Sequence, residues 1–519
     1  MKKYLHKIAA VALAAGMLLA TACGGGSEEP SGTAGEPRDE FKVAANREPV
    51  SLDPTDVTVT YASLIEAQIY NKLLKFDKEL NVVGDLAESW EVADDGVTWT
   101  FHLRQGVKFH NGEELTSKDV LFSFLRIYDA PAVAISVAYI DKEGFETPDD
   151  YTFVLKTTVP YAFLEAELCS GNMCIMNEKA VTELGADYGR NPVGTGPYKF
   201  VSWAAGDNIT VERFDDYFGE PAITKTIIFK MIPENSSRTV NLESGDVDLV
   251  IDIQESDVDR IADGEDTLLV TGSTGSVRYI GLNCRHEMFL DKRVRQAMCY
   301  ATNIDEIRGA VYPHATPAQV TPVPPGFVGR NEGLAGYPYD PEKAKELLKE
   351  AGVEDGFTVQ YIYLAGAAND QTAQLLQKQW EKVGVTLVLN PMESGALSTA
   401  MNKAEQDACC AGSNMSSFEA GKGLYDFFYS GSIGNTSNRT YLDDPEVDKL
   451  LEAISTETDA DKRAQMVYDV QELIMEDAPM AVICHTNAYV GMRKTVHGFE
   501  FLPTGLYDLS KVWFEVEPE

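Results

Sequence analysis

The stretch LAESWEVADDGVTWTFHLRQGVKFHNGEELTSKDVLFSF (86–124) sets two strands and a helix start in one run. Within it, WEVADDGVTWTFHL alternates on both sides of Asp95-Gly96. Asp-Gly tolerates the positive φ that a tight hairpin turn needs, so two antiparallel strands are expected here. LTSKDVLFSFLRIY (115–128) then starts a helix, with Thr116 and Asp119 in N-cap and N3 relation, a variant of the capping box.

Upstream, FKVAANREPVSLDP (41–54) reads as a strand followed by a turn. TYASLIEAQIYNKLLKFD (60–77) places Leu64, Ile65, Ile69, Leu73 and Leu74 at helical spacing, which predicts one continuous helix. Strands return at YTFVLKT (151–157). Downstream, YDPEKAKELLKEAG (339–352) is a helix with Asp340 as cap, Pro341 in its first turn and Gly352 at its end. Its apolar stripe is Ala344, Leu347, Leu348 and Ala351. FTVQYIY (357–363), a helix through Gln374–Val383 and VTLVLN (385–390) make a βαβ unit. Two amphipathic helices, PEVDKLLEAI (445–454) and KRAQMVYDVQELIMED (462–477), precede a strand, AVICHTNAYVGM (481–492). The class is mixed α/β, with hairpins in the first half and βαβ in the second.

The chain has 519 residues, 44% of them hydrophobic, enough for two or three lobes with real cores. Its 44 Lys and Arg against 81 Asp and Glu give a formal charge of −37. Such a surface repels phosphate backbones, which argues against a nucleic-acid partner. Motifs for a nucleophile elbow, a zinc protease, a phosphate-binding loop and a dinucleotide fold are absent from the sequence. Carboxylate pairs are too plentiful for any one to stand out as an acid/base dyad, so no enzyme activity and no cofactor are expected.

Lys2, Lys3 and Lys7 precede an apolar run, IAAVALAAGMLLA (8–20), too short for a comfortable membrane span. Small residues then lead to Cys23 through LLATAC. This is the pattern of an export signal, and it resembles a bacterial lipobox with Ala20 where that pattern usually has Leu. Residues 1–22 are therefore read as a signal peptide, with Cys23 as the lipidated residue and 23–40 as a flexible tether. Plain secretion with cleavage nearby is the alternative. After Cys23, seven cysteines remain, an odd number that cannot pair fully within the chain. Cys169 and Cys174 are spaced for a local bridge, whereas a bridge between adjacent Cys409 and Cys410 needs strained geometry. Most are read as buried small hydrophobes, and no cluster has metal-ligand spacing.

Several stretches resemble one family, the peptide/nickel-type (family 5) substrate-binding proteins of ABC importers. They are the opening stretch, PVGTGPYKFVSW (192–203), ERFDDYFG (212–219), VNLESGDVDLV (240–250), YIGLN (279–283), DKRVRQAMCYA (291–301) and YPYDPEKAKELLKEAG (337–352). They fall in order along nearly the whole mature chain. The resemblance implies a two-lobed periplasmic-binding-protein-like α/β fold with a ligand cleft between the lobes. A first lobe of 41–275 plus 490–519 would carry an extra subdomain at about 80–190, and 276–489 would form the second. It also implies a lipid-anchored, monomeric protein on the outer face of the bacterial cytoplasmic membrane. That protein would deliver a peptide or small polar solute to an ABC permease and ATPase complex. A surface sensor or adhesin on the same fold is the rival, and so is a binder of a non-peptide solute.

By family position, Thr60 and Tyr61 would contribute to the cleft, with Asn172 and Met173 from one lobe. Ser413, Asn414, Met415, Ser416, Phe418 and Arg439 would come from the other. In dipeptide-binding relatives the corresponding loop carries Gly-Trp and then an Asp that pairs with the peptide amine. Ser413 stands here at the Trp position and Ser416 at the Asp position, with Glu419 the next acid. The arginine that holds the peptide carboxylate in those relatives would fall near 362–366, where this chain reads Ile-Tyr-Leu-Ala-Gly. A nickel-chelate ligand is disfavoured, because 169–175 holds no Arg and the first His after Glu419 is His485. Arg439 either meets a ligand carboxylate or braces its loop against Asp443 or Asp444.

Overall fold

A computed structural model describes residues 39–56, 60–133, 137–317, 320–415, 417–433 and 438–515. Residues 1–22, expected to be a signal peptide, lie outside the described residues with Cys23 and Ser416, as does the side chain of Thr60.

The opening stretch folds as its pattern predicts. Strands Ala87–Val92 and Thr98–Leu103 pair antiparallel. Between them Gly96 has φ 68°, and the Asp95 carboxylate accepts from the N–H groups of Val97 and Thr98, each at 2.9 Å. Strands Thr152–Lys156 and Glu146–Asp149 complete a four-stranded sheet. The helix Ser117–Asp129 packs on that sheet, and its capping box closes with the Asp119 carboxylate accepting the Thr116 N–H at 3.1 Å.

The helix expected through Leu74 stops short. It spans Thr60–Ile69, and Leu74–Phe76 is a strand. The cause lies far away in sequence: the Gly196 N–H donates to the Ile69 carbonyl at 2.8 Å. A Cβ on Gly194 would stand 2.1 Å from that oxygen, and one on Gly196 would stand 2.5 Å from the Gln68 oxygen. The Gly194–Pro197 turn thus crosses the helix end at contact distance, where only glycine fits.

An eleven-stranded mixed sheet runs through the molecule. Its centre is a pair of long antiparallel strands, Thr267–Leu282 and Met480–Arg493. Their register shifts between Ser273 and Val277, and again at Arg278/Tyr279. Past the first break, Val277, Tyr279 and Leu282 pack into cores built mainly by residues 277–484. On the near side, Val490 and Met492 join a core of residues 41–229 with the C-terminal Tyr507, Leu509 and Val512. Phe163 belongs to the far core despite its early position, and the Ala162 N–H donates to the Ser455 carbonyl at 2.8 Å.

The βαβ unit is present and extended. Phe357–Leu364 lies between two parallel neighbours, Val385–Met392 and Ala408–Asn414. Helix Ala367–Glu381 connects the first pair, and helix Ser394–Asn402 leads into the third strand. Asp340 caps the helix Pro341–Glu350 through the Lys343 N–H at 2.9 Å. All seven described cysteines are free and buried, so Cys169 and Cys174 are not bridged, nor are Cys409 and Cys410.

Candidate functional site

The register break in the long strands opens a cavity of about 520 Å³. Thr274, Gly275, Ser276 and Ala488 form its floor. Cys169–Asn172 and 503–507 wall one side, and Asn414 and Phe418 the other. Its floor is tight: a Cβ on Gly275 would lie 2.7 Å from Asn414 Oδ1 and 2.8 Å from the Met415 carbonyl. The Met415 N–H donates to the Gly275 carbonyl at 2.9 Å, which extends the strand pairing into the loop.

Phe418 takes φ 55°, a left-handed conformation uncommon for a bulky residue. Its ring sits edge-on to Phe76 at 6.2 Å and tilted against Phe327 at 5.6 Å, so it touches both sides of the cavity. A strained aromatic in such a place is held by packing around it.

A second cavity, of about 510 Å³, shares Ser276 and Asn414 with the first and continues past them. It lies at the C-terminal ends of the parallel strands, where open α/β sheets bind ligands. Ser413 is on its wall and hydrogen-bonds the Tyr279 hydroxyl at 3.0 Å. Arg439 is on the same wall and donates to the Gly412 carbonyl at 3.3 Å. The carboxylates considered as braces for Arg439 are engaged in other contacts. Asp443 pairs with Arg285 at 2.7 Å, and Asp444 caps the helix Pro445–Thr456.

Of the residues expected in the cleft, Asn172, Ser413, Asn414, Phe418 and Arg439 line these two cavities. Tyr61, Met173 and Met415 do not: all three are packed inside cores. Burial raises the Tyr61 phenol far above its ordinary range, and its hydroxyl has no hydrogen-bond partner among the described residues. Apolar residues near a cleft in sequence point inward when a core lies directly behind it.

Glu419 is not presented to either cavity. Its carboxylate caps the helix Ala420–Phe428 through the Lys422 N–H at 2.6 Å and faces Arg463 at 3.9 Å. The acid that does line the cleft is Glu167, which the sequence reading missed. Burial pushes its carboxyl up to about 7, opposed by the Lys422 ammonium 3.7 Å away. Arg278, on the wall of the second cavity, was also missed. The one available signal was a charged residue breaking an otherwise apolar strand, SVRYIGL.

The profile of bacterial extracellular solute-binding proteins, family 5 middle, matches residues 81–435. A dipeptide-binding protein of Escherichia coli K12 is 30% identical over 480 residues, covering 86% of this chain and 89% of the relative. The structure of HbpA2 from Haemophilus parasuis superposes with a TM-score of 0.85 at 26% identity, covering 92% of this chain and 100% of that one. DppA from Helicobacter pylori, an ABC transporter-associated periplasmic binding protein in complex with the peptide STSA, gives 0.75 at 26% identity, with 92% and 98% covered. The fold is thus the two-lobed α/β fold of periplasmic binding proteins, and the relatives named are binding proteins rather than enzymes.

Proposed function

The chain belongs to family 5 of the bacterial extracellular solute-binding proteins, and on that premise we propose that it captures peptides or similar small polar solutes and delivers them to an ABC permease and ATPase complex. The observation that carries this reading is the cavity at the strand break, walled by Cys169–Asn172 and 503–507 on one side and by Asn414 and Phe418 on the other. A site walled from two sides closes by hinge motion, and a ligand that bridges them stabilises the closed form. We take 41–275 plus 490–519 as one moving unit and 276–489 as the other. The register shift between Ser273 and Val277 supports a hinge there.

The ligand contacts in this reading are Asn172, Ser413, Asn414, Phe418 and Arg439. Peptide is favoured because relatives carry peptide names and because polar side chains such as Ser170, Asn172, Thr274 and Asn414 share the walls with apolar ones. The protein acts as a monomer, held by lipid on Cys23 at the outer face of the cytoplasmic membrane, and performs no chemistry. A thermal-shift screen with di-, tri- and oligopeptides tests the reading. Specific members should raise the melting temperature by mass action. No shift across the series removes peptides as the solute.

A further inference from the structure

We propose that Glu167 meets the solute as a neutral carboxylic acid, donating from its O–H and accepting at its C=O, so that capture holds a proton on it. The proposal rests on the solute-binding reading and deepens it by naming the group on the solute that is met there, a peptide amide.

The geometry leaves Glu167 without a cation of its own. Lys422 Nζ stands 3.7 Å from Glu167 Oε1, but the Asp426 carboxylate holds that ammonium through both oxygens, at 2.6 and 2.7 Å. One ammonium cannot neutralise two carboxylates, and the more distant and more deeply buried acid keeps its proton. The Glu167 side chain is 11% exposed, against 39% for Asp426. The other groups facing Glu167 add no positive charge. Glu419 is a further acid, engaged in capping the helix Ala420–Phe428 and turned to Arg463. Tyr139 and Tyr161 stack on each other at 4.2 Å, and burial keeps both phenols neutral. Glu165, on the same turn, accepts from Trp90 Nε1 at 2.6 Å. Burial accordingly lifts the Glu167 carboxyl to about 7.

Glu167 lines the cleft with Ser170 and Asn172. A protonated carboxyl carries a donor and an acceptor side by side. In an extended peptide the N–H and C=O of one residue point the same way, which is the complementary pair. A solute laid over Glu167 removes its remaining water and raises the cost of ionising it further. The bound form therefore holds the proton more tightly than the free form. Binding is at full strength below about 7 and weakens as pH rises past that value, where the free carboxyl has lost its proton and capture must restore it. A solute ammonium in the same place would have the opposite effect, drawing the proton off.

Short peptides with acetylated N-termini, amidated C-termini and neutral side chains carry no titrating group, so any proton exchanged on binding belongs to the protein. Calorimetric titration in buffers of differing ionisation enthalpy counts it. The wild type should take up little at about pH 6 and close to one proton at about pH 8.5, and its affinity should fall about tenfold per pH unit above about 7. Glu167→Gln keeps a donor and an acceptor without a charge, so the uptake should vanish and the affinity should stay level with pH. Asp426→Asn leaves Lys422 to Glu167, and the fall in affinity should begin at lower pH. Binding without proton uptake overturns the assignment and leaves solute binding intact. So does proton release, an uptake that survives in Glu167→Gln, or an onset unmoved in Asp426→Asn. Binding by none of these peptides overturns the peptide reading, and the assignment with it.

Discussion

Lys422 Nζ lies 3.7 Å from Glu167 Oε1, joining the helix Ala420–Phe428 to the short turn Leu164–Glu167 on the opposite wall of the cleft. Burial outweighs this ammonium and lifts the Glu167 carboxyl to about 7 from an ordinary 4.5. Between those values the native chain holds a proton that the unfolded chain has lost. Stability therefore falls as pH rises through that window. Glu167→Gln removes the effect, so the wild type should lose about 3 kcal/mol relative to the variant across the window. Urea denaturation of both at a series of pH values measures it; parallel curves would refute the assignment.

Glu66 gives a second pH-dependent case. Its two carboxylate oxygens are buried without a hydrogen-bond partner among the described residues. Burial, and then Asp53 and Asp56, raise its pKa well above the ordinary value. The native state needs this carboxyl protonated, which costs more as pH rises. Glu66→Met should stabilise the chain at neutral pH by about 1–3 kcal/mol. The gain should shrink as pH falls and the wild-type carboxyl is protonated in both states. Thermal denaturation at neutral and acidic pH checks both halves.

Gly196 tests the helix stop. An alanine Cβ would stand 2.5 Å from the Gln68 carbonyl, with the Ile69 carbonyl carbon at 2.6 Å. Backbone cannot yield as a flexible side chain does. Gly196→Ala should cost about 3 kcal/mol or more, or abolish folding. Gly412→Ala, with no neighbour nearer than 3.6 Å, should fold normally.

Much of the fold was legible because its signals are local. Asp95-Gly96, the Thr116–Asp119 capping box and the Asp340-Pro341 helix start each depend on neighbours a few residues apart. The helix from Thr60 was read too long because Leu73 and Leu74 keep its period, while the contact that ends it comes from Gly196. The site was harder for the same reason. Tyr61, Met173 and Met415 sit beside cleft residues in sequence but face cores. Glu167 and Arg278 reach the cavities only once the long strands and the segment around Phe163 are in place.

The proposed anchor is a lipid on Cys23. With LLATAC followed by the Gly-rich stretch GGGSEEPSGTAGEP in the sequence, Cys23→Ala should leave the protein unlipidated and shift it from the membrane fraction to the soluble one. Cell fractionation with immunoblotting reads the result. An unchanged membrane fraction would place any anchor elsewhere.

Whether a small polar solute sits in the cleft at the strand break is decided by a crystal structure of the chain with the solute that co-purifies from its native host. Density should lie above Gly275, between Asn172 on one side and Asn414 and Phe418 on the other, and extend toward Arg439. Solute density elsewhere, as in the apolar cavity beside Tyr337 and Met480, with this cleft holding only solvent, would overturn the assignment of the cleft.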